Sequence, residues 1–238
     1  MTQKLKRLKW WDIVILTLIF FGQAIYSSTV MFFQNNGQVI PELTETTGSQ
    51  NVYMMVVQGL TLVVAAAYLI WRKFDFKQWQ FKFSPKATLT GIGMFFLLAI
   101  MVDIFVIFFD PHSVGKIFGS SWQFLDGIKF FLSQFTNLSL VAYALLNGFY
   151  EEIYFIGLCT AVEAKHRTWI FLFSILIRIS FHTYQGLVSA LSIGIVLGIF
   201  YYIWYRKKSR NLYPIMLSHS IADVVGLTIL QYIVVTGI

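Results

Sequence analysis

Seven apolar stretches, near residues 10–33, 52–71, 88–109, 137–163, 168–184, 187–205 and 211–235, dominate this chain. Each is close to the roughly 20 residues that a helix needs to cross bilayer hydrocarbon. Only 12% of the residues are charged and 57% are hydrophobic, with a mean hydropathy of +0.68; a soluble domain carries roughly 25% charged residues. The expected fold is therefore all-α, a polytopic transmembrane helical bundle of about seven spans. With short connections, 238 residues leave no room for a separate soluble domain. The expectation is one membrane domain overall, in which residues 1–134 supply N-terminal transmembrane helices and an outer interfacial segment, and residues 135–238 supply a helical core.

The basic residues give the expected orientation. Lys4, Lys6, Arg7 and Lys9 precede the first stretch; Arg72, Lys73, Lys77, Lys82 and Lys86, then Lys165 and Arg167, then Arg206, Lys207, Lys208 and Arg210 fill alternate connections. These hold 15 of the 18 Lys and Arg residues. The other connections carry Glu42, Glu45, Asp110 and Asp126 with only Lys116 and Lys129. By the positive-inside rule the chain is expected in the cell membrane as a multi-pass protein, N-terminus cytoplasmic and C-terminus outside. The net charge of +7 is then a topology signal, and nucleic acid is not an expected partner. All seven tryptophans fall at or just beyond the ends of the stretches, as an interfacial belt requires. The first stretch is longer than a signal-peptide apolar region and is read as an uncleaved helix. Residues 34–50 read as a solvated outer loop, and 111–134, interrupted by Pro111, Gly115, Gly119 and Gly127, as an outer interfacial helix. The single cysteine, Cys159, excludes an intramolecular disulfide and a cysteine metal cluster.

The ionisable residues inside the apolar stretches point to function, because a charge near the bilayer centre costs about 2.5–3.5 kcal/mol on insertion scales. Glu151 and Glu152, Arg178 and His182, and His219 and Asp223 lie on three different stretches. At about 1.5 Å of rise per residue from the cytoplasmic ends, Glu151 lies roughly 18 Å deep, His182 roughly 21 Å, His219 roughly 12 Å and Asp223 roughly 18 Å. Residues four apart share a helix face, which pairs His219 with Asp223, Arg178 with His182 and Asn147 with Glu151. Adjacent Glu151 and Glu152 point about 100° apart and should differ in role. Carboxylates and imidazoles converging in a low-dielectric setting are what activation of water requires.

The order Glu151-Glu152, then His182, then Gly194, Gly198 and Tyr202 ahead of a basic loop, then Pro214 and His219-Ser220-Ile221-Ala222-Asp223 resembles the CAAX protease and bacteriocin-processing (Abi) family of intramembrane endopeptidases. The resemblance covers about residues 135–235 and would make residues 135–238 a catalytic core. The family signatures are Glu-Glu-x-x-x-Arg, Phe-x-x-x-His and His-x-x-x-Asn or Asp. Two positions depart: Ile156 stands in place of the family arginine and Arg178 in place of the phenylalanine. Arg178, roughly 15 Å deep against roughly 16 Å for Glu152, would supply the missing cation from another helix; the alternative is that it snorkels or pairs with Asp103.

Carried over, the resemblance implies that Glu151 acts as general base on a water held between it and His182, that His219 and Asp223 face the scissile carbonyl, and that Glu152 and Arg178 support the site. No cofactor is expected. The alternative is zinc on Glu151, His182 and His219, although no His-Glu-x-x-His spacing supports it. Expected partners are membrane lipids and a peptide or membrane-protein substrate, with a membrane-protein partner left open. Rival readings are an inactive family member serving as a bacteriocin immunity factor or membrane scaffold, and a proton-coupled carrier, which would be expected to show internal repeats.

Overall fold

The computed structural model describes residues 4–37, 47–110 and 124–229. Eight helices form among them, with no strand. α1 (Trp10–Gln34) starts where the Asp12 carboxylate accepts the Lys9 N–H, at 2.9 Å. α2 (Gly48–Trp71) opens on a capping box of Thr47 and Gln50, and α3 (Pro85–Phe109) on Ser84, whose hydroxyl accepts from Ala87 N at 3.2 Å. α4 (Phe124–Ser133) is followed by α5 (Leu138–Glu152), capped by Asn137 and prolonged by a π turn at Ile153–Leu158. α6 (Arg167–Ser180) leads to α7 (Leu187–Lys207), which carries a second π turn at Ser192–Leu197, and α8 (Tyr213–Val225) closes the described bundle.

Four of these helices, α1, α2, α3 and α7, are long and apolar enough to cross a membrane. Among the described residues these four do not confirm the expectation of about seven spans. α6 and α8 have 14 and 13 residues, about 20 Å at 1.5 Å each, short of a hydrocarbon layer about 30 Å thick. The physical reason is local. After α6 the chain turns at Gly186 (φ 88°), and α8 stops at Gly226 (φ 82°), left-handed conformations inside runs whose apolarity continues. α5 is diluted by Asn147, Glu151 and Glu152. Of the anticipated outer segments, residues 38–46 and 111–123 lie outside the described residues, as does the last stretch beyond residue 229.

The surface fits lipid. Leu18, Val63 and Phe108, on α1, α2 and α3, are among many large apolar side chains left exposed, a number that would be an aggregation hazard in water and is ordinary in hydrocarbon. Four basic segments meet at one end of the bundle. Leu5 N–H donates to Lys73 O (2.9 Å) and Leu8 N–H to Ala161 O (2.8 Å), while Leu212 N–H donates to Gln80 O (2.9 Å). Beneath them the fully buried Asp12 accepts from Tyr68 Oη (2.6 Å) and from Arg72 Nε and Nη2 (2.6 and 3.1 Å), which ties α1 to the end of α2.

What positions the candidate site is the close seating of α8 between α3 and α5. Gly148 makes this approach on α5: a Cβ there would stand 2.7 Å from Met216 O and would also strike Ser220 Oγ. On α3, a Cβ at Gly91 would stand 2.9 Å from Pro214 O. α2 is joined to α5 by Gln58 Nε2 donating to Asn147 Oδ1 at 2.6 Å. α1 is held to α5 by Tyr150 Oη donating to Phe20 O at 2.5 Å and by the Thr17–Tyr154 hydroxyl pair, also 2.5 Å.

Candidate active site

Glu151 and Glu152 end α5 one turn beyond Asn147, and the close approach at Gly148 brings α8 against them. α6 enters from the other side with Arg178. The cluster that results is almost wholly buried, its side chains 0–5% exposed except for Asp223 at 22%, so Asp223 marks the end nearest to water.

Glu152 Oε1 accepts from two helices at once, from His219 Nδ1 at 2.6 Å and from Arg178 Nη2 at 2.9 Å. Because the carboxylate accepts, the His219 proton on this side resides on Nδ1. His219 Nε2 then faces Asp223 Oδ1 at 3.5 Å and Glu151 Oε2 at 3.7 Å. Arg178 Nη1 lies 3.6 Å from the same Glu151 oxygen, and its guanidinium sits 3.9 Å over the Phe155 ring. Asn147 Nδ2 donates to Glu151 Oε1 (3.2 Å) and Asp223 Oδ2 (2.9 Å), with its own Oδ1 occupied by Gln58. Glu151 Oε2 and Arg178 Nη1 are therefore buried without a direct hydrogen bond, and face each other as an ion pair at 3.6 Å.

The structure brings five of the six sequence-designated residues, Glu151, Glu152, Arg178, His219 and Asp223, into one ion-paired cluster. It places His182 differently. That residue follows the end of α6, and its Nδ1 lies 2.7 Å from Arg178 O, which makes Nδ1–H the donor and leaves the lone pair on Nε2. Its ring packs on Phe181, 4.2 Å between centroids. His182 borders the cluster through the Arg178 backbone and is not among the hydrogen-bond or ion-pair partners of Glu151. Tyr143 and Tyr184, which the sequence did not single out, lie within electrostatic range of both Glu151 and Asp223. Gln58 was also missed; a lone amide seven residues from Asn51 in an otherwise apolar helix was the available signal.

A zinc ion would need converging donors at about 2.0–2.2 Å. Among the described residues no group of three or more His, Cys, Asp or Glu side chains is disposed to hold one. His219 Nδ1 is committed to Glu152, and the Arg178 cation already stands beside both glutamates. Glu151, His182 and His219 do not fit zinc as a ligand set.

Residues 133–225 match the family model described as type II CAAX prenyl endopeptidase Rce1-like, within the family whose motifs the sequence resembles. No curated protein and no solved structure matches the chain.

Proposed function

Because residues 133–225 carry the pattern of the CAAX protease family, we propose that the chain is an intramembrane endopeptidase that hydrolyses a peptide bond in a membrane-associated peptide or protein, with Glu151 activating the water. The observation that carries this reading is Glu151 Oε2, a buried carboxylate oxygen with no direct hydrogen bond, ion-paired with Arg178 Nη1 at 3.6 Å and His219 Nε2 at 3.7 Å. The water it activates would donate to Glu151 from beside these pairs while accepting from Arg178 Nη1. Glu151 takes its proton, the hydroxide oxygen bonds to the scissile carbonyl carbon, and the C–N bond then breaks as that proton passes to the departing amine.

In this reading His219 is the imidazolium, with a proton on each nitrogen among the carboxylates of Glu152, Glu151 and Asp223; its Nε2–H meets negative charge on the carbonyl oxygen, and Asp223 orients the ring from 3.5 Å. Glu152 fixes the ring from the other side through Nδ1, and Arg178 holds Glu152. These four residues act as a unit, since each shares a partner with the next. His182 supplies a lone pair on Nε2 at the border of the cluster, suited to accept from a substrate amide. The partners of this reading are membrane lipids and a peptide entering near Asp223, Tyr143 and Tyr184. The basic segments gathered at one end support a cytoplasmic N-terminus.

One observation favours a second reading. The Arg178 guanidinium beside Glu151 competes with water for Oε2, as a chain retired from catalysis and serving as an immunity factor or membrane scaffold would allow. Purified wild type and His219→Ala, at equal abundance, separate the two against a panel containing a prenylated Cys-a-a-X peptide and unprenylated membrane peptides. The endopeptidase reading expects cleavage by wild type and a loss of about 10²–10³-fold in His219→Ala, the usual cost of one oxyanion donor. No cleavage of any member of the panel by folded wild type supports the second reading.

A further inference from the structure

At the end of the bundle that carries the basic segments, the connections line an open cavity of about 360 Å³. None of the candidate active-site residues lines it. Its walls bring together cations that are distant in sequence: Lys6 and Arg7 from before α1, Lys77 from between α2 and α3, and Arg210 from between α7 and α8. Among the described residues none of these four forms an ion pair. The one acid in the wall, Asp75, accepts from the Lys77 backbone N–H at 3.3 Å and so caps its own turn.

Like charges held this close repel one another, with Asp75 the one acid among them. Partial burial and the neighbouring Arg167, Arg210 and Arg206 all push the Arg7 guanidinium below the usual arginine range. Gln78, also in the wall, buries its Nε2 donor without a hydrogen-bond partner. Trp79 is fixed as a rigid side of the cavity by donating Nε1–H to Gly157 O at 3.1 Å. Four cations and an unsatisfied amide donor thus face one space against a single carboxylate, Asp75.

We propose that this cavity is a binding site for a phosphate group, carried by an anionic lipid headgroup or by a soluble phosphoester. Phosphate meets each requirement of the walls: it is anionic, it accepts several hydrogen bonds, and it suits arginine forks and lysine point charges together. The volume lies at the lower end of the range for small-molecule sites, about 300–1,000 Å³, which accommodates a headgroup with its glycerol as well as the phosphate. Its place at the ends of the helices, beside Trp79 and Tyr205, is where a headgroup resides.

The test is thermal unfolding of the full chain in neutral maltoside detergent, at ionic strength held constant with chloride. The probes are sodium phosphate, glycerol 1-phosphate, dioctanoyl phosphatidylglycerol and dioctanoyl phosphatidylcholine. Phosphatidylglycerol is expected to raise the unfolding midpoint where phosphatidylcholine does not. In Lys77→Gln/Arg210→Gln the apparent affinity should fall by about tenfold or more, the scale of one lost charge-assisted contact. Both residues are exposed, so the fold tolerates the change. Lys207→Gln/Lys208→Gln removes the same charge outside the cavity and should retain the affinity. Stabilisation by phosphate or glycerol phosphate as well assigns a soluble phosphoester; stabilisation by phosphatidylglycerol alone assigns the lipid. The proposal is overturned if no probe exceeds chloride, if phosphatidylcholine acts equally, or if the two double variants weaken binding alike.

Discussion

Glu151→Gln is expected to lower peptide cleavage by at least about 10²-fold, and by up to about 10⁴-fold, the span assigned to a positioned general base. The substitution preserves volume, and Gln Oε1 can still accept from Asn147 as Glu151 Oε1 does at 3.2 Å. What changes is the other oxygen. An amide NH₂ at the position of Oε2 would present hydrogens to Arg178 Nη1 and His219 Nε2, which stand 3.6 and 3.7 Å away and are donors themselves. It can neither take a proton from water nor return one. Kinetics of the purified variant, with circular dichroism to verify folding, check this; a variant that keeps more than about a tenth of wild-type turnover removes Glu151 from the chemistry.

Arg178→Met is expected to destabilise the fold by about 3–5 kcal/mol, the cost of stripping one partner from a buried ion pair. Arg178 is 1% exposed and is the largest fully buried side chain among the described residues. Its removal leaves Glu152 with His219 alone and leaves Glu151 with one cationic neighbour fewer. Adding Glu152→Gln to Arg178→Met removes the stranded charge and should recover most of the loss, since a buried ion pair replaced on both sides is often neutral. Arg178→Lys should not recover it, because an ammonium lacks the planar face that rests on Phe155 and the fork that spans two carboxylates. Chemical unfolding in detergent measures all three. Equal stability of wild type and Arg178→Met would mean that the pair does not hold the helices together.

The meeting of Glu152 and Arg178 was legible before any coordinates. A cation missing from position 156 and another appearing at 178, at similar depth on a second helix, called for each other on grounds of charge burial. The grouping of the basic connections at one end was legible for the same reason, since their alternation along the chain admits few arrangements. The shortness of α6 and α8 was not. Hydropathy registers the apolar residues around Gly186 and Gly226 but not the left-handed backbone that ends a helix there. The π turns after Glu152 and Leu191 were likewise hidden, because they alter backbone hydrogen bonding without a mark in side-chain composition. Helical spacing paired Arg178 with His182 correctly as neighbours, yet the contact runs from ring to backbone carbonyl, and only coordinates reveal which nitrogen that leaves free. Tyr143 and Tyr184 escaped notice because aromatic residues in apolar stretches are too common to signal a site.

The account rests on water being delivered to a peptide carbonyl by a carboxylate sunk in the bundle. Mass spectrometry of a cleaved peptide, after digestion in water enriched in oxygen-18, tests that most directly. Wild type is expected to place one heavy oxygen in the new C-terminal carboxylate of the N-terminal fragment, and Glu151→Gln at equal abundance to yield at least about 10²-fold less of it. Fragments that lack the heavy oxygen, or that form equally in Glu151→Gln, would contradict it.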